Sequence, residues 1–520
     1  MISAGFFALA AGAPEREVLV DPSGGRVTAG DLLAGMNRAA RGLREVGVAA
    51  GDTIAVVLSN RRELVECYGA AIQSGLLFVA VNWHLGPDEI GYILGDSEAR
   101  VVVTEARFAP DVVRAAAQVG IDPSRIYSVD DSEGLPALSD LVDGRSADDP
   151  PGRAAGQIMF YTSGTTGRPK GVRKSFRAGA SEELALTSGI GPIRRMAGAG
   201  AAEPSDTVFL SSGPLYHALP IAGVMMALDS GNTVVMMDKW TPESFLRLVQ
   251  EHRVTNATVV PTMFHRLLAL PEEVRKGTDV SSLRAVNHGG APCPVEVKRR
   301  MIEWWGPIIT EMYSSTEGAG TSVTSQEWLR KPGTVGRPSP GVEIKILDEA
   351  GAELAPGEQG LVYMSPSLWE FEYRHDEDKT RAARHGELFT VGDIGYLDED
   401  GYLFLCDRQA DTIISGGVNI YPAEVEGVLL RHPAVRDVAV IGVPNEEWGE
   451  EVRAVVELRD PAVETAGLPA ELIEFCREHI ARFKCPRAVD FVDSLQRDPN
   501  GKLRKGNIRA RYWPDAAQRI

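Results

Sequence analysis

The chain has 520 residues and a mass of 56.1 kDa, enough for three or four structural units of the usual ~100–200 residues. Its 54 Lys and Arg against 72 Asp and Glu leave a formal charge of −18, which argues against general binding to nucleic acid or anionic membranes. The 44% apolar and 24% charged content is that of a folded globular chain, and no apolar run nears the ~20 residues of a membrane span. Five cysteines, Cys67, Cys293, Cys406, Cys476 and Cys485, are scattered without a Cys-x-x-Cys pair. That spacing offers neither a disulfide framework nor a zinc knuckle and points to a reducing cytoplasm.

In chain order, ISAGFFALAAGA (2–13) is apolar with no Lys or Arg before it, so it reads as an amphipathic helix packed on the first domain, not a leader. Strand TIAVVLSN (53–60) leads into a helix over 61–77, where Leu64, Val65, Tyr68, Ile72 and Leu76 recur at helical spacing. Further strands are predicted at 99–105, 157–162, 207–212, 232–238, 256–261 and 283–289, with helices at 241–253 and 294–304. Continuous apolar strands alternating with helices predict parallel sheets covered on both faces. The reading is therefore α/β, with lobes of about 1–155 and 156–330.

Beyond 330 the pattern changes. VEIKILDEAG, QGLVYMSP and GYLFLCDR are short strands between Gly and Pro turns, which read as a small β-barrel-like unit (331–408) completing a large N-terminal domain over 1–408. A compact α+β segment follows over 409–520: helix 422–431, strands 436–443 and 451–458, helix 469–482 and strand 488–492. Residues 482–520 hold ten Lys/Arg against four Asp/Glu, a basic end suited to closing over an anionic ligand.

The richest stretch is YTSGTTGRPKGV (161–172), directly after a predicted strand. Glycines let backbone N–H groups turn inward, hydroxyls add donors and Lys170 adds a point charge, which together make a cradle for a polyphosphate. It is not a Gly-x-x-x-x-Gly-Lys loop, because the fifth residue after Gly164 is Pro169. This string resembles the phosphate-loop signature of the adenylate-forming superfamily, which includes acyl-CoA synthetases, nonribosomal-peptide adenylation domains and beetle luciferases. Further motifs of that family follow in order: PLYHALP (214–220), GGAP (289–292), YSSTEG (313–318), TVGDIGYLDEDGYL (390–403), DRQADTIISGGVNIYPAEVE (407–426) and PNGKLRKGNI (499–508). The resemblance covers essentially the whole chain and is nearest to bacterial acyl-CoA synthetases.

The resemblance implies a mobile C-terminal domain and a two-step reaction. A carboxylate attacks the α-phosphorus of ATP with Mg2+, pyrophosphate leaves, and the thiol of CoA takes the acyl group from AMP. Joining two anions calls for positioning and charge neutralisation. By motif position, Lys502 would bridge carboxylate and α-phosphate, Glu317 would bind Mg2+, and Thr316 would touch phosphate. Thr162, Ser163, Gly164, Thr165, Thr166, Gly167 and Lys170 would hold the phosphates. Gly290, Ala291 and Pro292 would form a shelf for adenine, with Tyr313 stacked on its other face. Asp393 and Arg408 would bind the ribose. His217 would stand between acyl pocket and thiol path, with Ala222, Gly289 and Ser314 against the acid. Gly416 and Gly417 would let a pantetheine arm pass.

Ser314 stands where the family usually has glycine and favours a small or polar acid. Asn287 and His288 precede the shelf and could reach the pocket. Ala410 replaces an Asp or Lys at the hinge, which bears on the domain swing. Other readings of the same motifs are carrier-protein loading, amide formation, diazotisation of an arylamine with nitrite, and a regulator that binds nucleotide without chemistry.

Overall fold

Strands that are apolar at every position need cover on both faces, and the two main sheets are built to supply it. The computed structural model describes residues 5–163, 169–176, 206–318, 320–366, 369–416, 418–463, 465–498 and 502–513. One sheet is parallel throughout, in the order Ile126–Ser128, Ala99–Thr104, Thr53–Val57, Leu77–Ala80, Gln157–Ile158. Thr53–Val57, at its centre, is buried at every position.

The nine-stranded second sheet runs Arg337–Pro338, Thr321–Thr324, Ile309–Tyr313, Ala285–Gly289, Asn256–Val259, Val208–Ser211, Thr233–Met236, Glu17–Val20, Arg26–Thr28. Its middle is parallel and its outermost pairings are antiparallel. Helices Ala29–Glu45, Arg62–Ile72 and Ala218–Asp229 contribute to one core with strands of both sheets, joining Leu32, Tyr68 and Met225 to Ile54, Phe78 and Val234. Helices Pro242–Glu251, Pro261–Leu268 and Val295–Trp305 cover the other face of the second sheet.

Three differences from the sequence reading matter. The helix expected to reach 77 stops at Ile72, because Gly75 turns the chain at φ 72° and Leu77–Ala80 is a strand. Glu17–Val20 pairs in parallel with Thr233–Met236, so the chain begins in the second sheet and the lobes interleave. The strand expected over 157–162 is split between sheets. Gln157–Ile158 joins the first, while Phe160–Ser163 forms an antiparallel hairpin with Pro169–Phe176. The N-terminal helix is present as Gly5–Gly12, apolar on all sides, with Phe6, Phe7 and Ala10 buried.

Strand Trp369–Tyr373 extends that hairpin into a three-stranded sheet. It shares a core with the sheet containing Gly360–Met364, Asp393–Leu397 and Leu403–Arg408. The C-terminal segment forms its own sheet. Hairpin Ile413–Ser415/Val418–Ile420, Gly449–Leu458, Val435–Asn445 and Ala488–Val492 pack against helices Pro422–Leu429 and Leu468–His479. Among the described residues no helix is long and apolar enough to cross a membrane.

Beneath the second sheet lies a buried ion pair, Lys298 Nζ to Glu311 Oε2 at 2.6 Å, with the Lys298 ammonium also 4.8 Å from the Trp328 ring centre. Both residues are fully or nearly fully buried. Removing one partner strands a charge, which typically costs about 3–5 kcal/mol, whereas removing both does not. Lys298→Met is therefore expected to lower the urea midpoint sharply, and Lys298→Met/Glu311→Met to restore much of it, measured by equilibrium denaturation.

Candidate active site

Ligands of open α/β sheets collect beyond the carboxyl ends of the strands, and here that edge opens onto a cavity of about 2260 Å3. Strand Ala285–Gly289 ends in the shelf Gly289, Gly290, Ala291, Pro292, and its parallel neighbour Ile309–Tyr313 ends at Tyr313. All five residues line the cavity. Gly289 is required by space, since a Cβ there would meet the Met312 carbonyl oxygen at 2.5 Å, and Gly290 by its φ of 80°.

Asp393 gathers one side of the cavity. It begins strand Asp393–Leu397 and is the register partner of Arg408, so the Arg408 Nε lies 3.2 Å from its Oδ1. The Tyr313 hydroxyl donates to its Oδ2 at 2.7 Å. Burial first and the Asp393 carboxylate second push the Tyr313 hydroxyl up, so it stays a donor. Three separate elements thus meet on one carboxylate.

Glu317 gathers the other side. It is buried, and its Oε1 accepts a 2.8 Å hydrogen bond from the Tyr373 hydroxyl. Lys170 and Lys379 place their ammonium groups 5.8 and 5.7 Å from the Tyr373 ring centre. Lys174 shares the strand face of Lys170 and also lines the cavity. Burial pushes its ammonium down to about 8, against the opposing pull of Glu317. Thr162, Ser314 and Thr316 line the same space. Among the described residues no group of three or more His, Cys, Asp or Glu is placed to hold a metal. A lone carboxylate of this kind suits a Mg2+ ion that takes its remaining oxygens from phosphate and water.

His217 precedes helix Ala218–Asp229 at its N-cap, and its Nε2 is buried with no hydrogen-bond partner among the described residues. Burial, then Lys502, then His84 push it down to about 3, so the ring is neutral at ordinary pH. Lys502 reaches the cavity from the C-terminal segment. Its backbone N–H donates to Asp498 Oδ1 at 2.8 Å and its carbonyl accepts from the Asp498 N–H at 3.0 Å. Burial and the adjacent Arg408 push the ammonium below its usual value, while Asp498 and Asp393 act in the opposite direction.

Of the expected site residues, Thr162, Lys170, His217, Ala222, Gly289, Gly290, Ala291, Pro292, Tyr313, Ser314, Thr316, Glu317, Asp393, Arg408 and Lys502 all line this cavity. Gly164, Thr165, Thr166, Gly167 and Gly417 lie outside the described residues, as does the side chain of Ser163. Gly416 is not part of the cavity lining; its N–H donates to the Trp448 carbonyl at 2.8 Å on the C-terminal sheet. Asn287 and His288 do not line the cavity either. His288 is turned into the core beside Phe264, because alternate residues of a strand face opposite sides. Tyr373, Lys174, Lys379 and Glu311 were missed by motif reading. Strand spacing from Lys170 could have found Lys174.

Residues 6–368 match the AMP-binding enzyme family and residues 424–502 the AMP-binding enzyme C-terminal domain. The chain is 33% identical to a fatty acid–[acyl-carrier-protein] ligase of Streptomyces coeruleorubidus over 93% of this chain and 91% of the relative. It is 32% identical to a long-chain-fatty-acid–CoA ligase of Mycobacterium tuberculosis over 96% of each. The structure of o-succinylbenzoate CoA synthetase from Bacillus subtilis, in complex with its acyl-adenylate intermediate, superimposes with a TM-score of 0.81, 28% identity and 97% coverage of both chains.

The depressed His217 value carries a sign for stability. Below pH ~6.5 the unfolded chain protonates this ring and the folded chain does not, so stability is lost as pH falls toward 3. His217→Asn should flatten the decline in stability between pH 7 and 5 by up to about 1.4 kcal/mol per pH unit, read from urea unfolding of both proteins.

Proposed function

The chain belongs to the AMP-binding enzyme family, and on that premise we propose that it is an ATP-dependent acid–CoA ligase that forms an acyl-AMP and releases pyrophosphate, then transfers the acyl group to CoA. The observation that carries this reading is the convergence of Lys502, Asp393, Arg408 and Glu317 on one cavity. A protein that only sensed nucleotide would have no use for a half-buried lysine delivered from the C-terminal segment.

In the first half-reaction, adenine lies on Gly290, Ala291 and Pro292 against Tyr313, and the ribose hydroxyls donate to Asp393 with Arg408 beside them. Thr162, Ser163, Gly164, Thr165, Thr166, Gly167 and Lys170 hold the polyphosphate. Mg2+, where bound at Glu317, supplies charge neutralisation on the phosphate oxygens. Thr316 contacts phosphate, and the Tyr373 hydroxyl fixes the Glu317 carboxylate in place. Lys502 lies between the acid carboxylate and the α-phosphate and offsets their repulsion. The carboxylate oxygen forms its bond to the α-phosphorus as the bond to pyrophosphate breaks.

For the second half-reaction Lys502 leaves, the C-terminal sheet turns about residues 408–410, and Gly416 and Gly417 come to the cavity mouth for the thiol. Arg509 donates to the Ala410 carbonyl at 3.3 Å and to Asp411 at 3.0 Å. It ties the segment after Arg408 to the C-terminal unit, so that both turn as one body even with alanine at the hinge. Ile414, Val418 and Trp448 are exposed apolar side chains around Gly416, a surface suited to burial in the turned state. The five free cysteines suit a cytoplasmic site for this chemistry.

Three outcomes check the proposal. Lys502→Ala should reduce acid-dependent pyrophosphate–ATP exchange at least about a hundredfold, yet leave CoA-dependent consumption of a supplied acyl-AMP within a few-fold; equal loss of both contradicts the domain turn. Tyr373→Phe should raise the Mg2+ concentration for half-maximal exchange several-fold, about the weight of one outer hydrogen bond, with little change in KM for the acid. Omitting CoA should stop product formation beyond the adenylate, whereas turnover with an amine or with nitrite and an arylamine would reassign the second step.

A further inference from the structure

The cavity does not stop at the nucleotide shelf. Beyond His217 it follows helix Ala218–Asp229, lined by Ala218, Ala222 and Met226 at intervals of four, the spacing of a single helix face. These three are only half-buried in a helix whose other residues are mostly packed into the core. Their exposure is to the cavity, so the stripe is a wall. Tyr68 and Ile72, one turn apart on helix Arg62–Ile72, line it as well. From the hairpin strand to the edge of the first sheet, the lining runs from Thr162 through Phe160 and Ile158 to Gly156.

From this arm we infer that the acid is an aliphatic monocarboxylic acid of about ten carbons, lying along helix Ala218–Asp229 with its methyl end toward Met226. The inference rests on the ligase reading above and deepens it. Nine residues separate His217 from Met226, a rise of about 14 Å along the helix axis. An extended alkyl chain advances about 1.3 Å per carbon, given its ~1.5 Å bonds, so about ten or eleven carbons fill the arm.

Charge decides against other acids. Among the described residues, the walls formed by the two helices and by Gly156–Phe160 carry no Lys, Arg, Asp or Glu into the arm. A second carboxylate or a ring amine placed there would be stripped of water without a charged partner. The unbranched, adaptable Met225 and Met226 suit a flexible chain better than a flat ring. Ser314, the residue that points in sequence to a small or polar acid, is exposed at the adenylate end and does not narrow the arm.

The test is acid-dependent pyrophosphate–ATP exchange across straight-chain acids from butanoate to hexadecanoate, with benzoate, hydroxycinnamate and succinate in parallel. In the wild type, kcat/KM should rise roughly two- to fourfold per methylene up to about decanoate and then level or fall. Ala222→Phe should move the optimum to about six carbons, and Met226→Trp to about eight, because the two plugs sit at different depths. Two plugs at two depths guard against one variant failing to fold. Faster turnover of the aromatic or dicarboxylic acids than of decanoate overturns the inference, as does a length profile that neither plug changes. If no acid of any class supports exchange, the ligase reading itself falls.

Discussion

The constraint on which the rest of the site depends is a local surplus of positive charge in a strongly acidic protein. Arg408 and Lys502 approach one carboxylate, Asp393, whose second oxygen is already engaged by Tyr313. On another wall Lys170 and Lys379 flank the Tyr373 ring, whose hydroxyl holds the buried Glu317, and Lys174 feels the Glu317 carboxylate. Burying such groups disfavours their charged forms unless anions compensate them. Burial is the first cause that pushes the Lys502 and Lys174 ammonium groups down, against the opposing pull of Asp498, Asp393 and Glu317. On the proposed reading a nucleoside triphosphate and a carboxylate would bring negative charge to these groups, so substrate binding and relief of the protein's own electrostatic strain would be one event.

The fold makes this possible by register. Gly289 and Met312 are partners on adjacent parallel strands, which sets the shelf beside Tyr313. Asp393 and Arg408 are partners on an antiparallel pair, which sets their ion pair. Tyr373 lies on the third strand of a sheet whose hairpin begins at Phe160 and returns through Lys170. A one-residue slip in any of these pairings would turn the functional side chain to the opposite face. Precision is therefore held by backbone ladders, and the side chains only complete it.

This also explains how much was legible in the sequence. Gly289 to Pro292, Tyr313 to Glu317 and the Asp393 turn are short contiguous segments whose geometry is local, so linear motifs picked them out, while the alternation of apolar strands with helices carried the α/β class. Tyr373 escaped because nothing in its own segment marks it; only pairing with a strand some two hundred residues earlier brings it to Glu317. Lys298 and Glu311 belong to no motif, and only packing buries them together. His288 was misjudged for the converse reason, since Gly289 to Pro292 directly after it line the cavity while its own side chain turns into the core. The helix expected through 77 failed at Gly75, where local turn chemistry outweighed an apolar run.

The acyl arm belongs to the same class of feature. Ala218, Ala222 and Met226 are unremarkable residues of a core helix until the opposite wall leaves them uncovered. Chemistry is thus concentrated in motifs, while substrate choice is spread over packing. The account stands or falls on where the nucleotide sits. A crystal structure of the protein with ATP and Mg2+ is the most direct measurement. The account requires the ribose hydroxyls on Asp393, the adenine on Gly290–Pro292 and the Lys502 ammonium within hydrogen-bond reach of the α-phosphate. A nucleotide bound elsewhere, or bound in this cavity with Lys502 still directed away from it, would contradict it.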